Sequence, residues 1–526
     1  MDLIELFDKN INIYNTKAAI IDASQTLTYQ QLGDLTLRIA GSLVEQGVGE
    51  GDVVTIEAQS RLESIALIIG TVRAGAAYCV IPQSYPDYRK EQMRAQIQAK
   101  CCLRNTDFAN ADHMLPLLPA SRKPDSLLYI IFTSGSTGEP KAVAIEDKAV
   151  AKIVQHKGFY SGEVIGQLAP LEFDASIYEI FGGLLNGLTL RLISKDDSLD
   201  FEVMPLVFEE IDTLFLTTRL FNLYVDEFPE QFSKLSLVLT GGERCSIYHL
   251  QTAAKYCKVQ HVYGPTETTV FATAYEVKGN EQEIPIGRLF DEGAYIIVDE
   301  NNRQVAPGSQ GELYLSDSGL MRGYVGDEEA SRKVFFYEDH KRFYRTGDIV
   351  QVNAAGEIVY IERKDRQVKI SGYRIELGEV EKCAYDYGLQ KDCLAHYDGK
   401  RLYLFVKDQI ELEPFRQHLR SRLPEYMIPT VKVVDIIPMN TNGKTDVKVI
   451  NNGNWNAKDD QNEIIEVVAT VLKTGISREQ RFLDLGGDSI KAMEIIWQLG
   501  SKGYQLDLDM LFSRTIGEIA DHVSNG

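Results

Sequence analysis

The densest concentration of chemistry in the chain is one run of ten residues, Phe132-Thr133-Ser134-Gly135-Ser136-Thr137-Gly138-Glu139-Pro140-Lys141. Two glycines let the backbone bend and approach an anion closely. Backbone N–H groups, two serines, two threonines and a lysine can then surround phosphate oxygens. It is not a Gly-x-x-x-x-Gly-Lys-Ser/Thr loop, because the spacing fails. Asn442-Gly443-Lys444-Thr445 fails the same test, since Pro438 stands where the first glycine is required. A polar surface turn is the simpler reading of any Gly/Ser loop. The length of this string, directly after an apolar run, weighs against that reading. A second candidate is Ser489, in Phe482-Leu483-Asp484-Leu485-Gly486-Gly487-Asp488-Ser489-Ile490. It stands at the start of a helical pattern, where an ordinary N-cap is the simpler reading.

These residues need a scaffold, and the hydrophobic pattern supplies one. Leu127 to Phe132 reads as a short strand ahead of the loop, and Ala149 to His156 as the helix after it. Residues 52 to 59 read as a strand and Arg61 to Arg73 as a helix; the alternation continues through Phe215 and Leu237-Val238-Leu239. Such alternation predicts layered α/β structure with largely parallel sheets. Strands bounded by turns follow at 311–315 and 356–361, then a smaller α+β region from about 365 to 450. Asn451-Asn452-Gly453-Asn454-Trp455-Asn456 is the clearest linker. Beyond it, apolar residues at 464–472, 490–499 and 516–523 predict amphipathic helices, a small bundle of the four-helix type. The domain division expected is 1–363, 364–450, a linker at 451–459, and 460–526.

Composition narrows the function. At 526 residues the chain exceeds what one core supports. A formal net charge of −21 argues against a nucleic-acid binder that works by neutralising phosphates. No run of about 18 apolar residues predicts a membrane span, and the acidic start Met1-Asp2-Leu3-Ile4-Glu5 lacks the form of a signal peptide. Seven scattered cysteines without a C-x-x-C pair predict neither a disulfide framework nor a zinc site, and fit the cytoplasm.

The motifs resemble, in order, those of adenylate-forming enzymes, specifically adenylation domains of nonribosomal peptide synthetases. Leu27-Thr28-Tyr29 and Arg73-Ala74-Gly75-Ala76-Ala77-Tyr78 open the series. The phosphate loop, Phe173-Asp174-Ala175-Ser176, Gly241-Gly242-Glu243 and Tyr263-Gly264-Pro265-Thr266-Glu267-Thr268-Thr269 follow. Tyr344-Arg345-Thr346-Gly347-Asp348, Arg363-Lys364-Asp365-Arg366-Gln367-Val368-Lys369-Ile370 and Asn442-Gly443-Lys444 close it. The tail resembles the attachment site of peptidyl carrier proteins. The resemblance implies that a carboxylate attacks the α-phosphate of ATP and that a thiol then displaces AMP.

It also implies roles. Lys444 bridges the substrate carboxylate and the nucleotide, Glu267 holds Mg²⁺, Tyr263 faces the adenine and Asp348 accepts both ribose hydroxyls. ATP contacts extend over Thr133, Ser134, Gly135, Ser136, Thr137, Gly138, Lys141, Gly242, Gly264, Thr266, Arg363 and Lys369. Asp365 is the hinge of a mobile C-terminal subdomain. Ser489 carries a 4'-phosphopantetheine arm installed by a phosphopantetheinyl transferase. Three positions depart from the family pattern: Ala142, Glu362 and Ser371. Gly487-Asp488-Ser489-Ile490-Lys491-Ala492 resembles carriers that serve epimerisation domains, with lineage variation as the simpler reading.

The family's pocket positions fall on Asp174, Ala175, Tyr178, Arg219, Leu239, Gly241, Val262, Val270 and Phe271. Asp174 and Lys444 hold the ammonium and carboxylate of an amino acid. Arg219 then predicts a side chain with an acidic or accepting end, because a buried guanidinium needs an anion. If Arg219 points elsewhere, a hydrophobic or aromatic substrate follows. A free-standing acyl-CoA ligase would need no fused carrier, and a scaffold with a decayed site would not keep Lys444, Glu267, Asp348 and Ser489. With no His-His-x-x-x-Asp run and no Gly-x-Ser-x-Gly elbow, a downstream condensation or tailoring enzyme is expected to act in trans.

Overall fold

The computed structural model describes residues 2–110, 121–135, 139–370, 372–390, 393–399, 402–434, 437, 457–472, 474–485, 489–502, 504, 506 and 508–524. Two large sheets and their helices form the bulk of residues 2–363. The six-stranded sheet runs in the order Gly323–Tyr324, Lys141–Glu146, Leu127–Thr133, Ala77–Val80, Val53–Ile56, Cys101–Leu103. Its last four strands are parallel, and Lys141–Glu146 turns back antiparallel on Leu127–Thr133. The Gly/Ser loop is therefore the tip of a hairpin. The nine-stranded sheet has a parallel centre in which Thr213–Thr217, Leu237–Gly241 and Lys258–Tyr263 lie side by side.

The central strands are near-continuous apolar runs because both faces are covered. In Thr213–Thr217, Phe215 faces the main core, while Leu214 and Leu216 face a second cluster with Val238 and Val259. Helix Arg61–Arg73 starts where Ser60 Oγ accepts from Glu63 N, and eleven of its thirteen residues are buried. It is a core helix rather than a surface one, as the breadth of its apolar positions requires.

An antiparallel five-stranded sheet follows, ending with strand Ile358–Arg363. A hairpin, Gln367–Ile370 with Tyr373–Glu376, and a three-stranded sheet, Cys393–Tyr397, Leu402–Val406 and Thr430–Val433, share a separate hydrophobic cluster. The tail has its own core built from Ile464, Val468, Phe482, Ile495, Leu499, Ile516 and Ile519. Helices Ala457–Leu472, Ser489–Ser501 and Ile516–Ser524 match the three expected from periodicity, and Leu508–Ser513 is a fourth, too short to show a period. The fold class is as expected: a large layered α/β domain, a small α+β subdomain and a helical carrier region. Among the described residues no helix is long and apolar enough to cross a membrane.

Candidate active site

The hairpin of the small subdomain lies directly over the phosphate loop. Ser134 Oγ donates to the Arg374 carbonyl at 2.7 Å and accepts from Glu376 N at 2.9 Å. Gly135 N donates to Glu379 Oε2 at 3.0 Å, and Glu379 also pairs with the buried Arg89. Lys141 Nζ stands 5.5 Å from the centroid of the Tyr324 ring. Thr133 Oγ1 is buried and has no hydrogen-bond partner among the described residues. Ser136, Thr137 and Gly138 lie outside the described residues, as do Ser371 and Lys444.

Glu267 sits in the single turn Thr266–Thr268 and is fully buried. Its carboxylate accepts from Arg374 Nη1 at 2.6 Å and from the Tyr324 hydroxyl at 2.7 Å. Burial alone would raise its pKa. The Arg374 charge, with the Tyr324 and backbone hydrogen bonds, outweighs burial and holds the carboxyl below its ordinary range. Glu267 is thus an anion that needs a cation. Neither Arg374 nor Tyr324 was among the residues expected here; Arg374 lies in Gly372-Tyr373-Arg374-Ile375-Glu376, just past the last residues quoted from the hinge motif.

Next to Glu267 the chain is bent. Thr269 and Val270 both have positive φ, 60° and 62°. β-branched residues rarely adopt this conformation, which costs about 1–3 kcal/mol each and persists only when neighbours enforce it. Thr269 Oγ1 donates to Gly319 O at 2.7 Å and Met321 N to Glu267 O at 2.8 Å. Lys152, buried, donates to Thr268 O at 3.1 Å and pairs with the buried Asp317 at 2.7 Å. The bend carries Val270 and Phe271 into the core beside Tyr178.

On the other side, Asp348 accepts from Tyr263 Oη and, at 3.0 Å, from Arg363 Nη1. Arg363 also bonds Asp365 at 3.0 and 2.7 Å, so the expected hinge carboxylate is tied to the last strand of the large domain. Lys369 of the hairpin feels the charges of both Asp348 and Asp174. Burial lowers its pKa and Asp348 pulls it back up, with Asp174 a further positive influence. Burial raises the Asp174 carboxyl, with the Thr266 hydroxyl and Lys369 opposing.

The expected side-chain pocket divides into two. Ala175, Tyr178, Leu239, Val262, Val270 and Phe271 are all buried in the main core cluster. The Phe271 ring centroid is 5.4 Å from Tyr178 and 5.7 Å from Phe215. Phe215 was missed, yet it pairs in register with Leu239, as Thr217 pairs with Gly241 and Gly241 with Val262. Gly241 cannot be larger there, since a Cβ would run into the Val262 carbonyl. The Tyr178 hydroxyl is spent on Phe159 O at 2.7 Å.

Arg219 stands apart from this apolar cluster. It lies in the first turn of helix Thr218–Glu227, one element beyond the strand that holds Phe215. Its guanidinium lies against Gly500 of the tail. Thr217 ends the strand and the helix starts at the next residue.

Comparison with known proteins decides the family. The family model described as AMP-binding enzyme matches residues 7–117 and 104–325, and that of the phosphopantetheine attachment site matches 462–523. The chain belongs to the AMP-binding enzymes and is an adenylation domain of the nonribosomal peptide synthetase type, fused to a carrier domain. It is 32% identical to bacitracin synthase 1 of Bacillus licheniformis over 96% of its length and 10% of that protein. It is 31% identical to tyrocidine synthase 3 of Brevibacillus parabrevis over 99% of its length and 9% of that one. The chain thus spans about a tenth of these relatives. A solved holo nonribosomal peptide synthetase protein containing adenylation and PCP domains, bound to a vinylsulfonamide inhibitor, superposes with a TM-score of 0.78 at 26% identity. It covers all of this chain and 96% of that one.

Proposed function

We propose that this adenylation–carrier protein activates an amino acid with a neutral, apolar side chain and loads it as a thioester on its own carrier domain. In the first step an oxygen of the amino-acid carboxylate bonds to the α-phosphorus of ATP, and pyrophosphate leaves with the electron pair. In the second, the acyl carbon exchanges its bond to the AMP oxygen for one to sulfur. AMP leaves with that electron pair and the thiol proton passes to water. The 4'-phosphopantetheine arm on Ser489 supplies the thiol.

The residues divide by charge. Asp174 takes the α-ammonium and Lys444 the carboxylate, offsetting the repulsion between two anions. Asp348 takes the ribose hydroxyls, which requires Tyr263 or Arg363 to give way. Ser134, Gly135, Ser136, Thr137, Gly138 and Lys141 surround the phosphates. Glu267 would hold Mg²⁺, which offsets phosphate charge when bound. Among the described residues no cluster of three or more acidic, His or Cys groups cages a metal. A single buried carboxylate plus phosphate oxygens suits Mg²⁺.

The observation that carries the two-step reading is the Arg374–Glu267 pair. Arg374 gives Glu267 the cation that a nucleotide-bound metal would otherwise give it, so this arrangement suits the site after pyrophosphate has gone. Rotation about Asp365 exchanges residues 364–450 between this arrangement and one that brings Lys444 in. Residues 1–363 form the core and 460–526 the carrier, joined by 451–459. The apolar preference rests on Phe215, Leu239, Val262, Val270 and Phe271, with Arg219 elsewhere. A transferase installs the arm, a condensation or tailoring enzyme acts in trans, and the seven free cysteines suit the reducing cytosol. ATP–pyrophosphate exchange against an amino-acid panel tests the reading: isoleucine-, valine- or leucine-like substrates should be turned over and glutamate ignored.

A further inference from the structure

The carrier helix Ser489–Ser501 packs on the short helix Lys195–Leu199 of the core, and two contacts define how it sits. Lys195 Nζ stands 4.4 Å from the Trp497 ring centroid, a cation–π arrangement. At the next turn a Cβ on Gly500 would collide with Arg219 Nη2. Trp497 and Gly500, three apart, share one face of the helix. Ala492, Ile495 and Leu499 face the carrier's own core. Both core cations therefore meet a face that the carrier does not use for its own folding.

The chemistry of each contact is specific. Gly500 is one residue from the C-terminal end of its helix, where backbone carbonyls concentrate partial negative charge. A guanidinium there is favourably placed, and only glycine lets it come so close. Burial lowers the pKa of the Arg219 guanidinium, and Glu243 of the core and Tyr397 of the small subdomain oppose this. Glu243 in turn accepts from Gly372 N of the hairpin at 2.6 Å. Arg219 thus stands where core, small subdomain and carrier come together.

We infer that Arg219 and Lys195 are positioning residues that seat the carrier for aminoacyl transfer, Arg219 on the helix end at Gly500 and Lys195 on Trp497. Gly500 is part of the device, because its missing side chain is the space that Arg219 occupies. The inference rests on the reading that Ser489 carries the arm.

The test uses the full-length protein converted to its arm-bearing form, with intact mass verifying the arm on every variant before rates are compared. This separates a docking defect from loss of attachment. Pyrophosphate exchange reads the first step and single-turnover thioester formation the second. Gly500→Ala should leave exchange unchanged and slow transfer about five- to twentyfold, although alanine favours the helix itself. Arg219→Ala and Lys195→Ala should each slow transfer about fivefold. In the double variant Arg219→Ala/Gly500→Ala the second change should add little, since the collision is gone. Transfer at the wild-type rate in Gly500→Ala and Arg219→Ala, or losses that multiply independently in the double variant, would overturn the inference.

Discussion

Arg374 Nη1 and Glu267 Oε2 stand 2.6 Å apart, joining the hairpin of the small subdomain to the buried acid of the large domain. On the proposed role of Glu267 as the Mg²⁺ carboxylate, cation binding there and hairpin docking would compete. Arg374→Ala should therefore keep or raise pyrophosphate exchange while lowering thioester formation by about tenfold or more, at least about 1.4 kcal/mol. Arg374→Lys should recover part of the transfer rate. Equal loss in both half-reactions would mean that the pair only holds the fold together.

Lys444→Ala separates the steps in the opposite sense. Removing a cation used in the first transition state should cut exchange by about 10²–10³-fold. Transfer from chemically supplied aminoacyl-adenylate should be spared. A stopped-flow comparison of the two half-reactions decides the matter.

Ser489→Ala should abolish the mass gain on treatment with a phosphopantetheinyl transferase and the later aminoacyl gain, and leave exchange intact. An arm that still attaches would place the site on another residue.

Pocket variants distinguish Phe215 from Arg219. Phe215→Ala opens space beside Phe271 and Tyr178 and should shift the exchange panel toward bulkier apolar amino acids. Arg219→Leu should leave the ranking unchanged. A shift from acidic toward neutral substrates in Arg219→Leu would restore the charged pocket.

Glu179 gives a pH signature. It is fully buried on the helix Ala175–Leu185 that also carries Tyr178, and burial pushes its carboxyl up to about 7. Backbone N–H groups of Leu168 and Ala169 oppose this without cancelling it. Because the folded pKa lies above the unfolded value near 4.5, the unfolded chain loses its proton first, and stability falls as pH rises from about 4.5 to 7. Glu179→Gln removes that dependence. The thermal midpoint of the variant relative to wild type should rise across this window and level off above it; a constant difference would show that Glu179 does not titrate there.

Much of the architecture could be read from sequence because periodicity and burial agree. Helix Arg61–Arg73 falls within the expected bounds, and the run Leu127 to Phe132 becomes a strand one residue longer. The surroundings of Arg219 are less legible, for a physical reason. Counting along Leu216-Thr217-Thr218-Arg219-Leu220 ignores the change from strand to helix at Thr218. Register does not: Phe215 lies beside Leu239 on the same face as Gly241, two residues on. Arg374 was overlooked for a different cause. Its partner is over 100 residues away, and the contact exists only once the hairpin docks.

The small subdomain and the tail each bury apolar side chains in a cluster of their own, apart from those of the large domain. Their seams carry contacts such as Arg374–Glu267, Lys195–Trp497 and the edge-on packing of Phe173 and Tyr373. An engineer transplanting this carrier onto a foreign activating unit would thus need to recreate a handful of seam residues, a cation opposite Gly500 first among them, and could leave the interiors alone.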